Sequence, residues 1–197
     1  MRMRGDRLRA LAGAALAVGV AVACGGPAGG GGTAAPTATG VTSSTPAATP
    51  RFDEEIELSD GRRVGMAYVA GRGLVERHRD ADSTAWSAPN VVYATATDRC
   101  QSLTLKEFDG TVAVIADWGV YCYDGEPPTE SIAAVGTTDL ARWDTNLTRS
   151  FDGWTKVTAE GGGDSRRLLF TRGSTESLTR LGWTRSGGFA EVEEIPR

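Results

Sequence analysis

The stretch Asp117–Glu130 concentrates residue types that bind and transform polar ligands. It begins Asp-Trp-Gly-Val-Tyr-Cys-Tyr-Asp and continues into a segment with two glutamates and two prolines. Its carboxylates are Asp117, Asp124, Glu126 and Glu130, and a glycosidase needs two carboxylates about 5–10 Å apart across a sugar. Asp117, Asp124 and Glu126 are therefore candidate catalytic residues. Because carboxylates are abundant in this chain, we favour the alternative that Asp117 binds backbone amides and the others are solvated loop charges.

Aromatic side chains supply a second candidate chemistry, the stacking of sugar rings. The chain contains five tryptophans: Trp86, Trp118, Trp143, Trp154 and Trp183. We expect most of them in the core, because each ring buries roughly 150–250 Å². The candidate ligand-binding residues are Trp154, Trp118, Tyr121 and Tyr123. Trp154 is expected to be the most exposed tryptophan, since it follows a turn next to Phe151.

Other classes of site are disfavoured by composition. His78 is the only histidine, so we expect no His-rich zinc site and no metal or cofactor. It lies in the polar run Glu76–Asp80, which predicts an exposed loop or strand end. The chain has 21 basic against 25 acidic residues, and four of the basic ones lie before residue 10. An acidic protein repels phosphates, so we expect no nucleic acid partner.

The first 23 residues are predicted to be a secretory signal peptide. Met1–Arg9 contains four arginines and one aspartate, and the apolar, uncharged stretch Leu11–Ala23 follows. A basic region, an apolar region and small residues before a cleavage site are typical of such signals. The apolar stretch is too short for a membrane-spanning helix.

Ala21-Val22-Ala23-Cys24, followed by two glycines, resembles the lipobox of bacterial lipoproteins, with alanine where leucine is usual at the first position. The resemblance implies cleavage before Cys24 and diacylation of that cysteine, palmitate included. It also implies a protein exported across the cytoplasmic membrane and held on its outer face by membrane lipid, since each buried CH₂ contributes about 0.8 kcal/mol. The alternative is ordinary cleavage after Ala23, which leaves Cys24 as a free thiol.

Residues 24–50 predict a disordered tether. Gly25–Pro50 has no charged residue and consists almost entirely of Gly, Ala, Thr, Ser and Pro. Such a segment buries too little apolar surface to offset its conformational entropy. We therefore divide the chain into a signal peptide (1–23), a lipidated cysteine with its tether (24–50) and a single β domain (51–197) long enough for one core.

Cys100 and Cys122 are predicted to form a structural disulfide, because an even pair of cysteines in an exported protein indicates one. Asp109-Gly110, near their midpoint, is a strong hairpin signal. One bulge or a slightly longer loop then places the cysteines opposite each other on paired strands. A redox pair would need a closer spacing, such as two intervening residues.

Beyond residue 50 the pattern predicts short strands separated by turns, and therefore an all-β fold. The predicted strands are Ile56–Leu58, Val64–Ala70, Val91–Thr95, Leu103–Leu105, Val112–Ala116, Ile132–Val135, Leu168–Thr171 and Leu178–Trp183. Leu140–Leu147 is the one segment read as a helical turn. We expect a propeller-like stack of about three small antiparallel sheets or, alternatively, a β-sandwich.

A D-x-x-x-W spacing repeats at Asp82–Trp86 and Asp139–Trp143, with a decayed third copy at Thr179–Trp183. Thr137–Trp143 resembles the S-x-D-L-x-x-W blade element of five-bladed glycoside-hydrolase propellers, and Ser150–Trp154 loosely resembles the Asp-box of sialidase-like propellers. The resemblance implies that the aspartate fixes a turn within a blade and that the tryptophan packs between blades. Three units are fewer than the usual propeller minimum of about four blades. Two alternatives therefore remain: a half-ring that pairs with a second copy in a homodimer, or an unrelated small β-sandwich.

These observations favour a membrane-anchored, extracytoplasmic lipoprotein whose β domain binds a carbohydrate or protein ligand without chemistry. The alternative is a glycoside-hydrolase or sialidase-like enzyme that uses carboxylates of residues 117–130. A structural component acting through sheet edges is hard to separate from the first hypothesis on sequence alone.

Overall fold

The computed structural model describes residues 49–197, except for Thr138 and the side chains of Gln101 and Asp164. The predicted signal peptide, Cys24 and the tether up to residue 48 lie outside the described residues. Within the described part, the chain forms strands and two short 3-10 helices. None of the helices described there is long and apolar enough to span a membrane.

The strands form three small antiparallel sheets, none of them closed, which confirms the all-β prediction. The first sheet contains β1 (Glu54–Glu57), β2 (Arg63–Val69), β3 (Gly73–Arg79) and β4 (Asn90–Tyr93). The second contains β5 (Arg99–Phe108), β6 (Thr111–Trp118), β7 (Glu130–Gly136) and β8 (Trp143–Arg149). The third contains β9 (Lys156–Glu160), β10 (Arg167–Gly173), β11 (Ser177–Thr184), β12 (Gly188–Phe189) and β13 (Glu193–Pro196). Strands follow in chain order within each sheet, except that β12 and β13 both pair with β11.

The second sheet packs against both other sheets through its two central strands. Successive residues of a strand point to opposite faces, and every residue of β6 is buried. Val112, Val114 and Trp118 belong to a hydrophobic cluster shared with the first sheet, whereas Ala113 and Ile115 belong to one shared with the third. The prediction of one core is therefore wrong: residues 51–197 build two clusters, because β6 and β7 are apolar on both faces.

The outer face of the first sheet is covered by aromatic side chains of the same chain. The ring of Phe52 lies on Gly65, where a Cβ atom would come within 2.5 Å of it. Trp86 packs against Phe52 with 4.5 Å between the ring centroids, and the guanidinium of Arg79 lies 5.3 Å from the centre of the indole. Phe52 and Trp86 thus cover part of the outer face of the first sheet.

All eight predicted strands are present. Of the two alternatives for the polar run from Glu76, the strand end is correct, because Glu76–Arg79 forms the end of β3; the expected exposure is wrong for Glu76, whose side chain is fully buried. Leu140–Leu147 is not a helical turn, because most of it forms β8 at the edge of the second sheet. An edge strand with polar, partly exposed side chains carries no continuous apolar signal, so its sequence does not reveal it.

Two of the three repeat copies occupy equivalent places. Asp82–Trp86 and Asp139–Trp143 each lie at the connection between the third and fourth strands of their sheet. In the second copy, Oδ1 of Asp139 accepts a hydrogen bond from the Ala141 amide (3.2 Å), and the indole N–H of Trp143 donates to the Leu140 carbonyl (3.1 Å).

The two other segments that resemble propeller motifs do not lie between the third and fourth strands of a sheet. Thr179–Trp183 lies inside β11 rather than after a third strand, so the third copy was predicted wrongly. Ser150–Trp154 connects the second sheet to the third instead of lying within one sheet. Its aspartate and its tryptophan therefore contribute to the junction between two sheets.

One carboxyl group is buried between the first and second sheets. Glu76 points from β3 to the side of Met66 and Leu74, and its Oε1 lies 2.8 Å from Nδ1 of His78. Burial raises the pKa of Glu76 above its ordinary value, although hydrogen bonds from His78 and Asn90 act in the opposite direction. The folded state therefore holds this proton at a pH where the unfolded chain releases it.

The raised pKa of Glu76 predicts that stability falls as pH rises from about 4.5, the ordinary pKa, through the higher pKa of the folded state. Glu76→Gln keeps the side-chain shape and removes the titration, so its melting temperature should fall less over that range. Thermal unfolding followed by circular dichroism measures this. Glu194→Gln, which neutralises an exposed carboxylate, is the control. Equal pH profiles for wild type and Glu76→Gln would contradict the prediction.

Candidate functional site

A disulfide joins the connection between β6 and β7 to β5. Cys100 of β5 is bonded to Cys122, with 5.3 Å between their Cα atoms, as predicted. The predicted bulge is also present, between Arg99 and Leu103 of β5. The cysteines do not face each other on paired strands, however, because β6 ends at Trp118 and Cys122 begins a short 3-10 helix. The bond therefore fixes a loop rather than a pair of strands.

This loop, residues 119–129, is closed by backbone contacts at both ends. The Gly119 amide donates to the Asp98 carbonyl (2.9 Å), and the Thr129 amide donates to the Trp118 carbonyl (2.9 Å). A Cβ atom on Gly119 would lie 2.8 Å from the sulfur of Cys122, so only glycine fits beneath the disulfide. Gly125 ends the 3-10 helix with a φ of 91°, a left-handed conformation that favours glycine.

A cleft of about 800 Å³ lies between this loop and the connection from β8 to β9; we call it the loop cleft. Its lining residues are Val120, Tyr121, Asp124, Glu126, Pro127, Pro128, Thr129, Ser150, Phe151 and Asp152. Tyr121 and Val120, which are adjacent in sequence, are 63% and 58% exposed. The loop cleft thus presents an aromatic and apolar wall to solvent.

The two walls of the loop cleft meet at Gly153. This residue has a φ of 83°, and a Cβ atom there would lie 3.1 Å from Oδ1 of Asp117 and 3.2 Å from Cγ of Pro128. The ring of Phe151, a lining residue, packs on Trp154 with 4.7 Å between centroids. Because Gly153 has no side chain, the two walls can lie close together. The buried indole of Trp154 packs against Phe151.

The candidate carboxylates lie in different surroundings. Asp124 and Glu126 line the loop cleft as exposed side chains, and Asp152 joins them from the opposite wall. Glu130 does not line it and instead accepts a hydrogen bond from the Tyr93 hydroxyl (3.0 Å). Together with burial, this contact raises the pKa of Tyr93 to about 12.

Asp117 lies behind the loop cleft rather than in it, with only 6% of its surface exposed. The hydroxyl of Ser102 donates to its Oδ2 (2.9 Å), so its recorded side-chain partner is a hydroxyl and not the expected backbone amide. Burial raises the pKa of Asp117, while the Ser131 and Ser102 hydroxyls and the charge of Arg172 lower it. This carboxyl is enclosed by protein groups and has no open side for a substrate.

Hydrogen bonds around Asp117 connect the first sheet, the second sheet and the connection from β8 to β9. The Tyr68 hydroxyl, from the first sheet, donates to the Ser102 carbonyl (2.7 Å) and accepts from the Asp117 amide (3.2 Å). The Ser131 hydroxyl, at the start of β7, accepts from the Trp154 amide (3.2 Å). Both ends of the loop and the opposite wall of the cleft are therefore attached to one polar network.

The aromatic candidates divide into buried and exposed pairs. Trp118 and Trp154 are 1% and 3% exposed, so the expectation that Trp154 is well exposed is wrong, and neither indole offers a face to a sugar ring. Each fills one of the two hydrophobic clusters. Tyr121 and Tyr123 are exposed, and only Tyr121 lines the loop cleft. Tyr123 lines a separate cleft of about 460 Å³ that also contains the ion pair of Arg99 and Asp53.

Sequence reasoning missed the second wall of the loop cleft. Phe151 and Asp152 lie well over twenty residues beyond the loop, and nothing in their own segment indicates that they face it. The signal available was the Asp-Gly turn at 152–153, which was interpreted as a blade element and not as a lining segment.

Comparison with known proteins gives no relatives. No family model, no curated protein and no solved structure matches the chain. Any functional conclusion therefore depends on the residues of the loop cleft and on the sequence that precedes the described domain.

The disulfide predicts a measurable stability difference. Replacing both Cys100 and Cys122 by serine opens a loop with a sequence separation of 22, which corresponds to about 3 kcal/mol of unfolding free energy in the chain-entropy model. Chemical denaturation measures the difference, and hydrogen exchange should quicken in residues 119–129 more than in β6. Cys24→Ser is the matched control, because it removes a cysteine outside the disulfide. Unchanged stability of the double variant would contradict the prediction.

Proposed function

We propose that this protein is an extracytoplasmic lipoprotein, anchored through Cys24, whose β domain binds a ligand in the loop cleft without transforming it. One observation carries the proposal: a cleft of about 800 Å³ displays exposed Tyr121 and Val120 on a loop fixed by a disulfide. Ligand sites typically occupy about 300–1,000 Å³ and combine apolar walls with a few polar groups. The loop cleft has this size and this composition.

The arrangement of carboxylates favours binding over catalysis. A glycosidase acid is commonly a carboxyl group whose pKa is raised and which reaches the sugar. Asp117 has a raised pKa but is enclosed behind Gly153. Asp124 and Glu126 line the loop cleft as exposed loop side chains. The candidate carboxyl group with the raised pKa is therefore out of reach of a sugar in the loop cleft, which favours binding over catalysis.

Membrane attachment is proposed from the sequence alone. A diacylated Cys24 would hold the domain at a bilayer surface, since two acyl chains give stable anchoring where one does not. The following segment of small, uncharged residues would behave as a coil with roughly 25–30 Å between its ends. Such a tether leaves the domain free to meet a ligand next to the membrane.

The anchoring proposal predicts that labelled palmitate enters the wild-type chain in a bacterial host and does not enter Cys24→Ala. The lipid would be attached only to this cysteine, because the other two are bonded to each other. Gel autoradiography of membrane fractions measures incorporation. The double variant Cys100→Ser, Cys122→Ser is the control and should keep the label. Equal labelling of Cys24→Ala would reject lipidation at this position.

The binding proposal predicts that small molecules which bind the wild type lose affinity for Tyr121→Ala. Removing an exposed aromatic wall should cost about 1–2 kcal/mol, or roughly tenfold in Kd. Ligand-observed NMR with a mixed library of sugars, amines and short peptides, applied to the full chain in detergent, measures this. Tyr123→Ala removes an equally exposed tyrosine outside the loop cleft and should leave affinity unchanged. The proposal fails if Tyr123→Ala weakens binding and Tyr121→Ala does not, or if a bound sugar is hydrolysed.

A further inference from the structure

The charges around the loop cleft are of one sign. Its lining includes Asp124, Glu126 and Asp152 and contains no lysine, arginine or histidine. Arg172 lies beside the cleft, with its Nη2 3.5 Å from Oδ2 of Asp152. Arg172 also acts on the charge of Asp117, so one guanidinium is shared between two carboxyl groups. The cleft therefore has an excess of negative charge that a cation would balance.

The carboxylates are spread over two walls and do not converge on one point. Among the described residues, no group of three Asp, Glu, His or Cys side chains is placed to hold a metal ion. Asp124 and Glu126 belong to the disulfide-fixed loop, whereas Asp152 belongs to the connection between β8 and β9. Separated carboxylates suit a cation of extended shape, such as the planar, five-donor guanidinium group.

The wall between these carboxylates is apolar. Tyr121 is an exposed aromatic side chain, and the ring quadrupole attracts a cation placed over its face. Val120, Pro127 and Phe151 supply further apolar surface in the same cleft. A ligand that fits this lining carries its positive charge on an apolar body.

We propose that the loop cleft binds an arginine side chain, flanked by apolar residues, in an extended peptide segment of another protein. This rests on the proposed function, because it names the ligand of the same site. A volume of about 800 Å³ holds more than one side chain, so a short peptide fits better than an isolated amine. The guanidinium pairs with a carboxylate of the disulfide-fixed loop, and the apolar wall contacts the neighbouring side chains.

The test uses the full chain in detergent and two tripeptides labelled with an uncharged dye. One is Leu-Arg-Leu-amide with the dye on its N-terminal nitrogen, and the other replaces arginine by citrulline, which has nearly the same shape without the charge. Fluorescence anisotropy should show at least tenfold tighter binding of the arginine peptide. This preference should shrink as salt is added, because exposed charges are screened within about 10 Å at 0.1 M.

Matched variants locate the effect. The double variant Asp124→Asn, Glu126→Gln should abolish the preference for arginine over citrulline, whereas Glu191→Gln, Glu194→Gln removes equal charge outside the cleft and should retain it. Circular dichroism checks that both variants fold. Since the comparison of the two peptides is also made on the wild type, the inference stays falsifiable if a variant unfolds.

Three results would overturn the inference. Equal binding of the citrulline peptide would show that the site does not recognise charge. Spermidine competing as well as the arginine peptide would show that a peptide is not required. Binding of neither peptide would reject the ligand class. In each case the proposed function is judged separately, by whether Tyr121→Ala weakens binding of molecules found in the mixed library.

Discussion

Burial of β6 on both faces is the constraint on which the rest of this structure depends. A strand with apolar residues on both faces cannot face water on either side, so it needs a sheet against each face. Val114 and Ile115, adjacent in sequence, pack into different clusters for this reason. β7 repeats the arrangement with Ile132 and Ala133. The sequence of two central strands thus requires three layers, and the outer sheets supply the remaining two.

The same constraint positions the candidate site. β6 ends and β7 begins at the same edge of the middle sheet, so the loop that connects them emerges where the three layers meet. The buried carboxyl group of Asp117 lies next to that loop: its Oδ2 accepts a hydrogen bond from Ser102 of the second sheet, and the Asp117 amide donates to Tyr68 of the first. Buried hydrogen bonds of this kind fix the groups that make them, so they hold the first two sheets together at this end. The loop cleft is therefore built on a rigid base although its rim is exposed.

Local sequence signals predicted the parts of the molecule that depend on local chemistry. The Asp109-Gly110 turn has a positive φ at both residues and joins β5 to β6 directly, as expected of an Asp-Gly hairpin. The disulfide was predicted from the number of cysteines in a chain that its first residues predict to be exported. β3 and β8 were not among the predicted strands because polar residues interrupt their apolar pattern. Glu76 is buried by its tertiary surroundings, which a single sequence does not display. For the same reason, Trp154 lies inside although it follows a turn, and Asp152 faces a loop distant in sequence.

The bond between Cys100 and Cys122 makes the shape of the site depend on the compartment in which the chain resides. Thiols stay reduced in the cytosol, and disulfides persist outside it. Gly119 and the loop above it are held against β5 by this bond, so a newly made copy inside the cell would have a looser and less selective surface. Under the proposed export, the loop cleft would reach its final shape only outside the cytosol.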